Sequence, residues 1–310
     1  MEESIFTVNL PFVNDPKDLE NIKKLYSNYD SYFITSGCIK ERQEKFDSLW
    51  NQFKTLLDKD KSSIFLSKIK QKDQFHENTW EMYIGCILKK YFSDISTSSK
   101  DKGIDFILNR DKIDEIFIEA VACKKGDSKD AVPDMTIAEK SEDITVQNVP
   151  HDEMLLRLSN SITSKATRDK DFIKDRNKPY IIAVNKGALE HPDSQIPLIL
   201  KCLLGLGYEN YKNNNGQLIY NGWTRREFIK KINGEKISMI FFEKNENSFV
   251  SAIIYSPDNI LNAPQNIGKD CVLIHNPKAT IPINIKTFSF LQQWATKYTS
   301  NGLEIKKIEA

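Results

Sequence analysis

Two short apolar segments, separated by a polar turn, constrain the fold of this 310-residue chain most strongly. Gly103–Leu108 and Ile116–Ala122 are rich in β-branched and aromatic residues, and the polar residues 109–115 between them predict an antiparallel hairpin. Each segment carries one carboxylate, Asp105 or Glu119, inside its apolar run. A buried carboxylate is costly unless a cation meets it, so two acids on neighbouring strands predict a shared cation. A hard divalent metal is the first candidate.

A third acid lies just upstream, on the segment Phe75–Phe92, whose periodicity predicts a helix. On the helical wheel Glu81 lies on the same side as Ile84 and Leu88, and therefore inside the apolar stripe. A single acid in that position usually extends to solvent or pairs with a lysine. Three acids in the order helix, strand, strand favour a common site instead.

These motifs resemble those of the PD-(D/E)XK (restriction-endonuclease-like) nuclease superfamily. Glu81 is similar to the acid of its first helix, Gly103-Ile104-Asp105 to its "PD" strand, and Ile118–Val121 to its "(D/E)xK" strand. The resemblance covers roughly Phe75–Pro282. Within the superfamily, the sequence is also similar to an uncharacterised bacterial subgroup. It implies an α/β fold with a mixed central sheet flanked by helices and an α-β-β-β-α-β core.

The resemblance also implies a function, namely metal-dependent hydrolysis of phosphodiester bonds in DNA or RNA. Asp105, Glu119 and Glu81 would then be catalytic residues and ligands of Mg²⁺ (or Mn²⁺). Nucleic acid would be the main partner, and a protein partner is the other class left open. The motifs do not distinguish DNA from RNA as the substrate.

The lysine of the family motif is missing, because position 121 is Val121. A helix is predicted from His151 to about Phe172, and on it Lys165 borders the apolar stripe. Since relatives in this superfamily relocate the lysine, Lys165 is the candidate to orient the attacking water or stabilise developing charge. The alternative is that Lys165 is an ordinary surface residue.

Two further functions stay open from the sequence. The missing lysine favours a catalytically inactive nuclease-like fold that only binds nucleic acid or protein. A structural or interaction protein, whose acids pair with internal Lys and Arg, is the other alternative.

Composition narrows the function classes further. The formal net charge is +1, so any nucleic-acid binding must come from a local basic patch. Five scattered cysteines without a CxxC pair, and no signal peptide at the N-terminus, favour the cytoplasm, although export by a specialised secretion system is left open. No apolar run approaches membrane-spanning length, so no membrane partner is expected. The chain has no GxxxxGK[ST] loop, no GxSxG elbow and no HExxH motif.

The domain organisation follows from the patterning. Residues 1–72 predict a helical N-terminal extension, with helices from Pro16 to about Tyr29 and over Ile39–Leu57. The Lys-rich residues 59–70 are interpreted as a solvated connector, with a phosphate-contacting role as the alternative. Residues 73–310 predict the nuclease-like domain, with Pro179–Asn185 as a central strand buried on both faces.

The remaining segments receive simpler predictions. Cys123–Pro150 is long and polar, and is interpreted either as a substrate-contacting loop or as disordered. Asn210–Gly222 is predicted to be a polar loop. A hairpin is predicted from Lys236–Glu243 and Phe249–Ser256, and a C-terminal helix over Ile285–Tyr298.

Overall fold

A computed structural model describes residues 4–97, 104–135, 148–193, 196–299 and 302–308. The protein is an α/β protein in which N-terminal helices precede a mixed central sheet. The α-helices are α1 (Pro16–Leu25), α2 (Ser31–Cys38), α3 (Lys40–Phe53), α4 (Lys59–Lys68), α5 (Phe75–Tyr91), α6 (His151–Arg176) and α7 (Leu198–Leu204). The strands are β1 (Ile95–Thr97), β2 (Phe106–Leu108), β3 (Ile116–Ala122), β4 (Tyr180–Asn185), β5 (Leu206–Asn214), β6 (Gln217–Arg225), β7 (Phe228–Lys230), β8 (Lys236–Ser238), β9 (Ala252–Ser256), β10 (Val272–His275), β11 (Gln292–Thr299) and β12 (Gly302–Ile308).

Eight of these strands form the central sheet, in the order β1-β2-β3-β4-β9-β10-β11-β12. β2 and β3 form the predicted antiparallel hairpin, with Phe106 opposite Ile118. β1 pairs antiparallel with β2, whereas β3, β4 and β9 run parallel to one another. β4 is therefore a central strand and is buried along its whole length, which confirms its prediction from an unbroken apolar run.

The two faces of the sheet are covered by different helices. Along β3, Ile118, Ala120 and Ala122 belong to the apolar cluster that contains the buried residues of α3 and α5. Phe117 and Val121 of the same strand belong to the cluster under α6 and α7. Because successive side chains of a strand point to opposite faces, the odd-numbered residues of β3 face α6.

The N-terminal helices share their apolar cluster with α5 and β2. α4 corrects one prediction, because the Lys-rich segment is a helix and not a connector. The Asp58 side chain caps it by accepting from the backbone N–H of Lys61 at 2.8 Å, and Phe65 packs its ring on Trp50 with centroids 5.4 Å apart. One buried ring, one cap and the partly buried Leu66 place this helix, although most of its other side chains are polar.

Three predictions for the second half of the chain are wrong. The first concerns 210–222, which lies in the β5–β6 hairpin and is not a loop. Asn215 and Gly216 connect the strands with φ values of 49° and 87°. Two positive φ values in a two-residue connection form the tight turn for which Asn-Gly is the strongest sequence signal.

The other two errors concern strand pairing and periodicity. Lys236–Ser238 pairs with β7, and the unbroken apolar run of β9 lies between β4 and β10 in the central sheet, where both of its edges find partners. The predicted C-terminal helix is a short 3-10 helix, Ile285–Phe288, followed by β11, which runs parallel to β10. In such a short segment the helical spacing of three apolar residues does not exclude a strand.

Parts of two predicted segments lie outside the described residues. Within Cys123–Pro150 these are residues 136–147, and the described remainder, 123–135 and 148–150, contains no helix or strand. Gly103 of the strand motif also lies outside the described residues. None of the described helices is both long enough and apolar enough to cross a membrane.

Candidate functional site

Glu119 lies in the middle of β3 and points toward α6. Only 2% of the residue is exposed, although it carries a carboxylate. Its position follows from the alternation of the strand, since Phe117 and Val121 on the same face pack into the core. The sequence thus places one acid in an otherwise apolar layer, where an unpaired charge is costly.

Asp105 reaches the same part of the sheet from the residue before β2. Its backbone N–H donates to the carbonyl of Ile118 at 3.2 Å, and its Oδ2 accepts from the backbone N–H of Ala120 at 2.7 Å. The Asp105 carboxylate thereby accepts the hydrogen bond from β3 that a backbone carbonyl would accept if β2 continued. This anchoring holds the carboxylate beside Glu119.

Glu81 completes a cluster of three acids, which we call the acid cluster: Glu81, Asp105 and Glu119. Burial, and next the charge of Glu119, raises the pKa of Glu81 to about 7. Burial and then Glu81 raise the pKa of Asp105 to about 7, while burial and then Asp105 raise that of Glu119 to about 8. In each case the strongest charge that raises the pKa is another member of the cluster, so the three predicted acids lie within electrostatic range of one another.

Two cations of α6 meet one oxygen of Glu119. The Nζ of Lys165 and the Nη2 of Arg168 each lie 2.6 Å from Glu119 Oε1. Lys165 is the lysine predicted from the sequence, and it does reach β3. Val121, at the position of the family lysine, is buried in the apolar cluster instead.

Arg168 is a site residue that the sequence analysis missed. It also forms a two-pronged ion pair with the buried Asp169, with Nε to Oδ1 at 2.6 Å and Nη2 to Oδ2 at 2.9 Å. The Tyr180 hydroxyl donates to the same carboxylate at 2.9 Å. The spacing from Lys165 could have indicated Arg168, because residues three apart on a helix lie on one face.

The second oxygen of Glu119 has a different environment. Oε2 is buried and has no hydrogen-bond partner within the part of the chain that the structure describes. Asp105 lies beside Glu119, but two ionised carboxylates can only accept hydrogen bonds. The pair therefore requires either a proton or a cation to be stable.

The oxygen chemistry of this pair fits a hard divalent ion. Across the described ranges, no three His, Cys, Asp or Glu side chains are arranged as a set that could hold a metal. Mg²⁺, however, is usually bound by one or two carboxylates, retained waters and substrate phosphates rather than by a complete protein cage. Asp105 and Glu119 are the two carboxylates that would hold such an ion, and Glu81 would add negative charge.

Comparison with known proteins identifies no relative, since no family model, no curated protein and no solved structure matches the chain.

Proposed function

We propose that this protein is a metal-dependent nuclease of the PD-(D/E)XK superfamily that hydrolyses phosphodiester bonds of DNA or RNA. The observation that carries the proposal is the buried Glu119 Oε2, which has no hydrogen-bond partner among the described residues and lies beside the Asp105 carboxylate. A pair of acids in this state binds either a proton or a cation, and the proposal assigns it a divalent cation. In most structural carboxylates both oxygens are hydrogen-bonded.

The order of elements supports the same proposal. α5, β1, β2, β3, α6 and β4 follow one another along the chain as helix, three strands, helix and strand. β1, β2 and β3 are antiparallel neighbours, and β4 runs parallel to β3. This is the order expected for the nuclease core, and the three acids come from its first helix and its hairpin.

In the proposed reaction Asp105 and Glu119 would hold Mg²⁺ or Mn²⁺, with Glu81 contributing negative charge. When bound, such an ion lowers the pKa of water and stabilises negative charge on the phosphoryl group. Lys165 holds its ammonium group at Glu119 and can stabilise the negative charge that develops during phosphodiester cleavage. Arg168, which is half-exposed and anchored by Asp169, can attract the phosphate backbone to the acid cluster.

A second candidate is a nuclease-like fold that binds nucleic acid or protein without cleaving it. One observation favours it, because Lys165 and Arg168 both pair with Glu119 Oε1. Two cations on one carboxylate neutralise that acid internally, as in a structural ion pair.

Calorimetric titration with Mg²⁺ and with Mn²⁺ tests the proposal directly. We expect the wild type to bind the ion, Asp105→Ala to lose binding, and Asp171→Ala to behave like the wild type. Asp171 is an exposed acid on α6 and provides the matched control. Absence of binding in the wild type would overturn the metal site.

Cleavage assays then separate the two candidates. Single- and double-stranded DNA and RNA are incubated with the wild type and with Asp105→Ala in the presence of Mn²⁺. The nuclease proposal expects at least one substrate to be cleaved by the wild type only. Metal binding without cleavage of any of the four substrates would favour the binding protein.

A further inference from the structure

A separate cavity of about 400 Å³ lies beside the acid cluster. It is located where α5 begins and β3 ends, and its walls include Tyr32, His76, Glu77, Ala122 and Ala188. Its size lies within the range of about 300–1,000 Å³ that is usual for small-molecule sites. The role proposed above for the acid cluster does not require such a cavity.

The cavity and the acid cluster share two structural elements. Glu77 precedes Glu81 by one turn of α5, about 5.4 Å along the axis, and its charge contributes to the raised pKa of Glu81. Ala122 follows Glu119 by three residues of β3, about 10 Å along the strand. Because the side chain of Ala122 faces α5 whereas that of Glu119 faces α6, a ligand that reaches from the cavity to the acid cluster would pass Glu77 and Glu81 on α5 rather than follow one face of β3.

The floor of the cavity is apolar, and one wall is aromatic. Ala122, Cys123 and Ala188 are buried small residues. The rings of Tyr32 and His76 lie edge to face with centroids 4.3 Å apart, and the Tyr32 hydroxyl donates to Glu190. These surfaces suit a flat ring better than a flexible chain.

His76 contributes a neutral ring to this wall. Burial lowers the pKa of His76 to about 4, so its imidazole is uncharged at pH 7. Its Nε2 has no hydrogen-bond partner among the residues that the structure describes, but it is buried and has almost no surface open to the cavity. A base in the cavity would therefore pack against the face or edge of this ring, as aromatic rings do.

The charges at the rim determine which part of a ligand enters. The cavity is lined by four acids and two lysines: Asp30, Asp73, Glu77, Asp127, Lys124 and Lys125. The Nζ of Lys124 lies 3.8 Å from Glu77, and Lys125 is paired with Asp134 and Glu190. The carboxylates repel a phosphate group, but they accept hydrogen bonds from ring and amino N–H groups. A phosphate is better placed outside, at the exposed Lys124.

We propose that this cavity binds a nucleobase, which is turned out of the strand next to the phosphodiester at the acid cluster. The proposal rests on the nuclease function and gives it a substrate class, namely unpaired nucleic acid. A base inside a duplex cannot enter without unstacking, whereas a single strand offers its bases freely. The protein would therefore act on single strands, loops or ends rather than on intact duplexes.

The test is a binding measurement that needs neither metal nor cleavage. The chain has four histidines, so their imidazole C–H signals can be followed by NMR during titration with adenosine, guanosine, cytidine and uridine. Comparison with His76→Phe, which keeps a ring at this position, assigns the His76 signal. We expect this signal to shift and saturate with at least one nucleoside.

Filling the cavity should remove this response. Ala188→Leu should weaken nucleoside binding at least tenfold, and the smaller Ala188→Val serves if the leucine variant does not fold. Ala295→Leu makes the same change on β11, outside the cavity, and should bind like the wild type. The proposal is overturned if no nucleoside gives a saturable shift, or if the shift is the same in a folded cavity-filled variant.

The result is independent of the nuclease assay. Saturable nucleoside binding in a protein that cleaves no nucleic acid would support the base site and refute the nuclease. Cleavage without nucleoside binding would support the nuclease and refute the base site.

Discussion

The ammonium nitrogen of Lys165 lies 2.6 Å from Oε1 of Glu119, and the two side chains are 14% and 2% exposed. A lysine from the middle of α6 thus reaches an acid on the central hairpin, although 46 residues separate them in sequence. The same contact fits a catalytic lysine and an internal ion pair. Removing the charge of Lys165 distinguishes the two roles, because only a catalytic lysine contributes to the cleavage rate.

Lys165→Met is the first test of this difference. If Lys165 stabilises the transition state, cleavage should fall by about 10²- to 10³-fold, as for the loss of one preorganised donor. Initial cleavage rates with Mn²⁺ measure the effect on the substrate that the wild type cleaves best. Lys170→Met makes the same change on α6 and should retain activity. Equal rates in the wild type and Lys165→Met would remove Lys165 from the mechanism.

The stability of Lys165→Met should depend on pH. The sequence alone predicts a small effect, but the structure shows that Glu119 would keep only Arg168 as a cation. Since the pKa of Glu119 is raised to about 8, its carboxyl is protonated at pH 6 and needs no cation there. At about pH 9 the wild-type carboxyl is ionised and is held by Lys165. Removing Lys165 raises the pKa of Glu119 further, so the variant should lose about 2 kcal/mol of unfolding free energy at this pH. Urea unfolding at both pH values measures this loss, which the internal ion pair also predicts.

Asp105→Asn tests the repulsion inside the acid cluster. The folded-state pKa of Asp105 is about 7, above the unfolded value of about 3.9, so the folded protein binds more protons between these values. Ionisation of Asp105 therefore destabilises the fold as pH rises through this window, and below about pH 4 the effect is absent. Metal-free Asp105→Asn should be as stable as the wild type at low pH and more stable near pH 8, as measured by thermal melts.

Added Mg²⁺ should reverse that order. The ion binds the folded wild type and raises its melting temperature, whereas Asp105→Asn should show little or no increase. A variant that is strongly destabilised at every pH would instead identify Asp105 as a structural partner of the Ala120 N–H.

The sequence predicts the centre of this molecule better than its periphery. The β2–β3 hairpin and β4 are recognisable because each is a short apolar run with distinct flanking residues, and Glu81 because it interrupts a helical stripe. The acids can be grouped because their helix and strands are consecutive. Arg168 cannot be recognised as a site residue in this way. Its partner Asp169 is its neighbour in sequence, and only the packing of α6 on β4 shows that the Tyr180 hydroxyl donates to Asp169.

The errors have a common physical origin. The helical spacing of Phe288, Leu291 and Trp294 predicts a helix where β11 lies, but the neighbours of β11 in the sheet decide its conformation. The sequence of α4 resembles a connector because its polar side chains outnumber its one buried ring, Phe65. In both cases tertiary packing overrides the local pattern, and these contacts between distant residues cannot be read from the pattern of one sequence.

A double-mutant cycle tests how firmly Arg168 is anchored. Asp169 is buried, and the Arg168 guanidinium donates to both of its oxygens. The single variants Arg168→Gln and Asp169→Asn should each destabilise the protein, and the pair should show a coupling of about 1–2 kcal/mol. Arg168→Lys should restore only part of the loss, since a lysine cannot form the two-pronged contact. Additive losses in urea unfolding would contradict the anchoring.

Gly85 tests whether the N-terminal helices belong to the same folding unit as the sheet. A Cβ at this position of α5 would lie 2.6 Å from two ring carbons of Phe53 on α3 and 3.1 Å from Phe106 on β2. Gly85→Ala should therefore destabilise the protein by about 1–2 kcal/mol, despite the better helix propensity of alanine.

The matched cycle uses Phe53→Leu, which removes the clashing ring. Because the leucine leaves room for the new methyl group, Gly85→Ala should cost at least about 0.5 kcal/mol less in the Phe53→Leu background. Phe33→Leu is the control, since the ring of Phe33 packs on Phe6 and should show no coupling with Gly85. A single urea transition, coupled as expected, would mean that residues 1–72 fold together with α5 and β2. Additivity, or two separate transitions, would instead support an independent N-terminal unit.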